Sequence, residues 1–231
     1  MRMIASILKI SEQGMSKPYL CNDDRGGIRW CKGNHTGVRS LISEWICAKL
    51  AREIGLPIPA FEIFKLDVGL FNEWKLSHGE SVPELVTESN QYVFGSLNVE
   101  NCKDVFNPEE DAAHIDKAVF AKIFHFDELI HNTDRTDFNS NLLVNGNVYV
   151  IDHNNAFDPG FDRAVFSGEH ILRGYVGEYS PDAVADQVGG LVRHGFLDEV
   201  WHEMPEAWID VGEMVLPLET IRGIILEGCH G

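Results

Sequence analysis

Asn132-Thr133-Asp134-Arg135-Thr136-Asp137-Phe138-Asn139-Ser140-Asn141-Leu142-Leu143-Val144-Asn145-Gly146-Asn147-Val148-Tyr149-Val150-Ile151-Asp152 is the stretch on which the reading of the chain turns. Two short apolar runs flank Asn145-Gly146. That dipeptide is a strong hairpin signal, because a type I′ turn needs positive φ at both central positions. If these two residues form the loop, Val144 pairs with Asn147 and Asn139 faces Asp152 at the hairpin's open end. Facing side chains lie on one side of the sheet with Cβ atoms roughly 4.5–5.5 Å apart. One magnesium ion, with ligands at about 2.0–2.1 Å, fits between such a pair.

Asp134 precedes Asn139 in the loop entering the hairpin. Phosphoryl transfer uses this set of groups. One carboxylate orients a hydroxyl and accepts its proton, while an amide and a second carboxylate hold magnesium on the phosphates. Singly, each residue is an ordinary turn former or cap; the expected register is what joins them. The same chemistry needs a cation for the nucleotide phosphates. Lys32 ends an expected strand, and Glu44 follows on the apolar face of the next helix, where a carboxylate needs a partner. A Lys32–Glu44 pair would hold the amine toward the phosphates; the alternative is a solvated strand end and a carboxylate that reaches water. Gly14-Met15-Ser16-Lys17 stands where a kinase places its phosphate-covering loop. It fits neither G-x-G-x-x-G nor a Walker A sequence, and it also reads as a plain turn.

Upstream, Met3 to Ile10, Tyr19 to Cys21, Ile28 to Lys32 and Phe61 to Val68 read as strands, and Val38 to Ile54 as a helix stopped by Gly55-Leu56-Pro57. Val82 to Thr87 and Gln91 to Ser96 also read as strands. Pro108-Glu109-Glu110-Asp111 has helix-start chemistry and opens a helix to about Ile130. After the hairpin come a long loop and helical patterns near 181–193, 196–203 and 213–226. The order predicts a mostly β lobe with one helix, then a mostly α lobe carrying one hairpin.

The 231 residues carry a formal charge of −17. Nine basic and five acidic residues fall in 1–60, and ten and thirty-one in 61–231, so the two segments stand at +4 and −21. Such acidity repels phosphate backbones and anionic lipid, so neither nucleic acid nor a membrane is an expected direct partner, while a small anion can still bind at a cationic site. The five cysteines, Cys21, Cys31, Cys47, Cys102 and Cys229, contain no C-x-x-C pair. No disulfide framework or zinc ribbon is indicated, and a cytoplasmic setting is expected. No run of about 18 apolar residues exists, which excludes an ordinary membrane span, and Met1 to Ile10 lacks a signal-peptide cleavage site. The histidines show no zinc-ligand spacing. Trp201, Met204, Trp208 and Met214 read as core of the terminal helical region.

The run from Asp127-Glu128-Leu129-Ile130 through Asn132-Thr133-Asp134-Arg135 to Asn139-Ser140-Asn141-Leu142-Leu143 and Val150-Ile151-Asp152-His153 resembles the HipA-like kinases, which are distantly similar to phosphatidylinositol 3- and 4-kinases. Trp30-Cys31-Lys32, Ser43-Glu44-Trp45, Gly55-Leu56-Pro57-Ile58-Pro59 and Phe94-Gly95-Ser96 agree with it. Many relatives have His where this chain has Thr136, and His153-Asn154-Asn155 replaces a glycine-bearing segment.

The resemblance implies an α+β, bilobal protein-kinase-like fold: a small, mostly β N-lobe with one helix over 1–97 and a mostly α C-lobe with a metal-binding hairpin over 98–231, together one kinase domain. It implies ATP and Mg2+ as cofactors and transfer to Ser or Thr hydroxyls of a protein, as in the toxin of a toxin–antitoxin pair with an antitoxin partner. Asp134 would be the catalytic base, Asn139 and Asp152 the metal ligands, and Lys32, paired with Glu44, the phosphate contact. Gly14, Ser16 and Lys17 would line the phosphate loop, with Phe94 and Gly95 near the adenine hinge. Phosphorylation of Ser16 would oppose the ATP phosphates. The charge split adds the expectation of a substrate with a basic face. Two alternatives stand beside this reading: a nucleotide-binding regulatory module acting through protein contacts, and a small-molecule or lipid kinase.

Overall fold

The computed structural model describes residues 1–12, 14, 16–79, 81–103, 106–210 and 216–229. Met15 of the expected phosphate loop, and Met214 with the start of the last helical pattern, lie outside the described residues. The chain is a mixed α+β protein that divides into two compact units. The first takes Met1–Ile42, Pro59–Asn98 and a return segment from Met204; the second takes Ser43–Ile58, Val99–Glu203 and the stretch from Leu216.

In the first unit, β1 (Arg2–Ile10), β2 (Tyr19–Asp23), β3 (Ile28–Lys32), β4 (Phe61–Lys65) and β5 (Tyr92–Leu97) close into a barrel in the order β1-β2-β3-β5-β4. Its neighbours are antiparallel except β1 and β4, which run parallel through Arg2↔Phe64 and Met3↔Lys65. Closure requires bent strands, and β1 is irregular between Ile4 and Ser6 and between Ile7 and Lys9. Strand alternation turns Tyr19, Cys21 and Cys31 into the barrel core beside Ile4, Ile7, Phe64 and Val93. Each large side chain so buried stabilises the fold by about 1.5–3 kcal/mol.

The expectation of one helix in residues 1–97 is corrected. Besides α1 (Val38–Glu53), this region holds α2 (Val68–His78). The Asp67 side chain caps α2 by accepting from the Leu70 N–H at 3.1 Å, and Gly79, at φ 100°, ends it. Val68 and Phe71, neighbours on one helix face, enter the barrel core. The expected strand at 82–87 does not form. Pro83 has no N–H for a ladder, the Leu85 carbonyl accepts from Asn34 N–H at 2.8 Å, and Thr87 and Asn90 exchange backbone bonds of 2.9 and 3.2 Å in a turn. The expected apolar stripe on α1 is also too narrow. Every residue from Leu41 to Ala48 is buried, so this middle stretch of the helix is buried all round.

In the second unit the expected helix from Pro108 to Ile130 is two. α3 (Pro108–Asp111) stops early, and α4 (Lys117–Leu129) starts afresh where Asp116 accepts from the Ala118 N–H at 3.0 Å. α4 is the central helix, burying Phe120, Ile123, Phe124, Phe126 and Leu129. Against it pack α6 (Pro181–Arg193, given α5 at Arg163–Glu169) and, beyond α7 (Phe196–His202) and α8 (Glu206–Ile209), α9 (Leu218–Gly228). Val184, Val188 and Val192 form the buried stripe of α6. Trp208 and Met204 are buried as expected, although both belong to the first unit's return segment, and Trp201 is half-buried.

The hairpin comprises β6 (Leu142–Val144) and β7 (Val148–Val150), paired Leu142↔Val150, Leu143↔Tyr149 and Val144↔Val148. The expected pairing of Val144 with Asn147 is therefore wrong by one residue. Only Gly146 takes positive φ, at 89°, while Asn145 does not, so the type I′ turn is not made. A three-residue loop with a single left-handed glycine forms instead. Extending the observed register does not set Asn139 opposite Asp152.

Candidate active site

The groups expected to form a site in the second unit are held by a residue that the motif reading passed over. The Arg135 side chain is wholly buried. Its Nε donates to Asp127 Oδ2 at 2.6 Å, and its Nη2 to Asp127 Oδ1 at 3.5 Å. Its Nη1 reaches the carbonyls of Ser140 at 3.3 Å, Asn141 at 2.5 Å and Ile151 at 3.3 Å. Asp127, near the end of α4 and also fully buried, accepts from Asn132 Nδ2 at 2.8 Å and His170 Nε2 at 3.1 Å. His170 Nδ1 accepts from the Leu172 N–H at 3.1 Å. The ring proton therefore sits on Nε2 and the ring is neutral.

One negative and one positive charge are thus buried together with many of their hydrogen-bonding groups used, the condition under which a buried pair is tolerated. Burial by itself would raise the Asp127 carboxyl, but the Arg135 charge and the His170 hydrogen bond outweigh it and hold the group far below the usual carboxylate range. Burial likewise lowers His170, against the pull of Asp127.

Arg135 and two of the carbonyls it holds stand beside expected site residues. Asp134 precedes Arg135, Asn139 precedes Ser140, and Asp152 follows Ile151. Asn139 Nδ2 donates to the Asp134 carbonyl at 3.3 Å, and Asn141 Nδ2 to Asp134 Oδ2 at 3.3 Å. Thr136 and Asn139 exchange backbone bonds of 2.9 and 3.2 Å, closing a tight turn. At that turn Asp137 pairs with both Arg173 Nη atoms, at 3.0 and 2.9 Å. Asp134 and Asp152 are half-buried and Asn139 is exposed. Among the described non-glycine residues with positive φ are Asn141 and Asp152, which flank this hairpin. Backbone strain of this kind gathers at functional sites.

Glu44 is buried on α1, and its Oε2 accepts from the backbone N–H of His153 at 3.1 Å. It thereby ties α1 to the residue after Asp152. Lys32 belongs to the first unit, where it ends β3 opposite Phe94. Phe94 stacks on Phe61 with ring centroids 5.9 Å apart. Gly95 has a packing reason of its own, since a Cβ there would lie 2.6 Å from the Phe64 ring. Gly14, Ser16 and Lys17 lie in the β1–β2 connection, which Ser11 N–H closes on the Pro18 carbonyl at 2.8 Å. The Ser16 carbonyl lies 2.9 Å from His35 Nε2.

Among the described residues no three His, Cys, Asp or Glu side chains are grouped to hold a metal, and no helix is long and apolar enough to cross a membrane. Asp127, Asn132, Arg135, Asn141 and His170 had no assigned role in the sequence reading. The only local hint was an aspartate set among Phe124, Phe126 and Leu129.

No curated protein sequence matches the chain at a significant level. Among solved structures, the crystal structure of the Helicobacter pylori proinflammatory kinase CtkA is similar over 99% of this chain and 92% of that one, at 10% identity and a TM-score of 0.46. Residues 4–224 match the family described as HipA-like kinase. With nearly the whole chain matched, this protein belongs to the HipA-like kinase family.

Proposed function

We propose that the chain is an ATP- and magnesium-dependent kinase that phosphorylates Ser or Thr hydroxyls of a protein. Family membership makes it an enzyme of phosphoryl transfer that uses ATP. The observation carrying the finer reading is the state of Asp134. Its carboxylate is half-buried, and Asn141 holds Oδ2 at 3.3 Å. In this reading Oδ1 orients the acceptor hydroxyl and takes its proton as the oxygen attacks the γ-phosphorus, with the bond to ADP breaking.

Asn139 and Asp152 would hold magnesium, which supplies neutralisation of phosphate charge. An acid–amide pair suits this ion, which is usually bound by one or two carboxylates together with phosphate oxygens and water. Lys32, supported by Glu44, would contact the phosphates, with Gly14, Ser16 and Lys17 covering them and Phe94 and Gly95 beside the adenine. Within the same reading the protein is a cytoplasmic toxin with an antitoxin partner, and the acidity of residues 61–231 favours a substrate with a basic face.

Asp134→Asn is the test. It should lower phosphate transfer from labelled ATP by about 10²–10⁴-fold, while ATP binding persists. Undiminished transfer would remove Asp134 from the mechanism. No transfer by wild type to itself or to any lysate protein would overturn the protein-kinase reading.

A further inference from the structure

Arg135 adjoins Asp134 and donates to carbonyls at Ser140 and Ile151, the residues next to Asn139 and Asp152. The three expected site residues come from a loop and from the two ends of a hairpin whose register does not align Asn139 with Asp152. Beyond the short strands, the bond from Ile151 N–H to the Asn141 carbonyl at 3.1 Å carries the ladder one step toward the open end, short of Asn139 and Asp152. A guanidinium then ties Ser140, Asn141 and Ile151 together, pinned through Nε to a buried carboxylate that His170 and Asn132 hold from other directions.

We propose that Arg135 is the positioning residue of this site, with Asp127 as its anchor: it sets the spacing of Asp134, Asn139 and Asp152 by gathering the backbone beside each. The proposal rests on the kinase reading above. A planar fork is required for this. Nε and Nη2 face Asp127 while Nη1 serves three carbonyls, a division that a single ammonium on a flexible stem cannot reproduce. The guanidinium touches no reacting atom, so its effect appears in the rate and in metal retention, not in nucleotide contacts.

The experiment compares full-length wild type with Arg135→Lys, which keeps the charge, and with His170→Gln, which loosens the anchor more gently and guards against a lysine variant that does not fold. Thermal melting reports the folded fraction, and turnover of labelled ATP gives kcat and KM. Mn2+ titrated into protein loaded with a non-hydrolysable ATP analogue gives metal affinity without catalysis. Positioning predicts that folded Arg135→Lys loses about 100-fold or more in kcat with KM for ATP within about threefold, and that Mn2+ affinity falls about tenfold. His170→Gln should lose about 3–10-fold in kcat.

A folded Arg135→Lys with wild-type kcat and Mn2+ affinity overturns the proposal, as does a kcat loss that vanishes after correction for folded fraction. If Arg135→Lys does not fold, an unchanged kcat and Mn2+ affinity in His170→Gln overturns it. If wild type binds Mn2+ and nucleotide but transfers nothing, the kinase reading fails separately and the Mn2+ comparison still decides positioning. If wild type binds no Mn2+ with nucleotide, both fail.

Discussion

Arg135 Nε lies 2.6 Å from Asp127 Oδ2, and neither side chain is exposed to solvent. Removing one member of a buried pair leaves the other charge uncompensated, which costs about 3–5 kcal/mol. Asp127→Ala should therefore lose about that much stability in urea unfolding. The double variant Asp127→Ala/Arg135→Met should lose less than the sum of the singles, with a coupling of about 1–3 kcal/mol. Additive losses would mean that the two charges do not support one another.

The same cluster gives a pH dependence whose sign follows from the two shifts. Asp127 is held below its ordinary value, so its contribution is complete above about pH 4 and is lost as pH falls through its lower folded value. His170 is also lowered by burial, with Asp127 opposing and Arg135 and Arg173 nearby. Its contribution is complete above about pH 6.5 and is lost as pH falls below that. Wild type should thus begin to lose stability well above the carboxylate range. His170→Gln removes that upper window, making stability flatter below pH 6.5 by up to about 1.4 kcal/mol per pH unit. His35 and His131, also lowered by burial, titrate in both proteins and cancel in the comparison. Parallel curves for the two proteins would remove His170 from the acid response.

Signals confined to a few residues were readable, and those depending on distant partners were not. The strand Ile28–Lys32 has its expected bounds, and α1 ends one residue before its expected limit, because alternation and a terminal glycine act locally. Asn145-Gly146 announced a hairpin, but loop length decides the register, and inclusion of Asn147 in the loop moved the pairing by one. Helix α2 had its cap at Asp67 and its stop at Gly79, yet its two core residues were too few to stand out in the pattern. Asp134, Asn139 and Asp152 were legible as a motif. Their support was not, since Asp127 reaches Arg135 across 8 positions and His170 across 43, and charged residues read singly are assigned to solvent.

The acidity of residues 61–231 makes a kinetic prediction about the acceptor. With a lysine-rich, serine-containing peptide as probe, kcat/KM should fall as salt rises from 0.01 to 0.1 M, because the screening length shrinks from about 30 to about 10 Å. The loss should sit in KM, as expected of electrostatic encounter. A rate that ignores salt would count against a substrate with a basic face.

Gly95 offers a test that separates packing from nucleotide contact. A Cβ at this position would lie 2.6 and 2.7 Å from two Phe64 ring carbons, while Cys31 Sγ is 3.6 Å away. Phe64 is fully buried in the barrel and cannot swing outward. Gly95→Ala should therefore destabilise the protein by about 1–3 kcal/mol, the usual result of overpacking. Phe64→Leu alone should also destabilise, by leaving space in the core. Combined, the smaller side chain at 64 makes room for the new methyl, so the double variant should melt above the sum of the single losses. ATP affinity measured on the rescued double variant then isolates any nucleotide role of Gly95. Recovery of stability without recovery of affinity would place the glycine at the adenine, and recovery of both would make it a barrel residue alone.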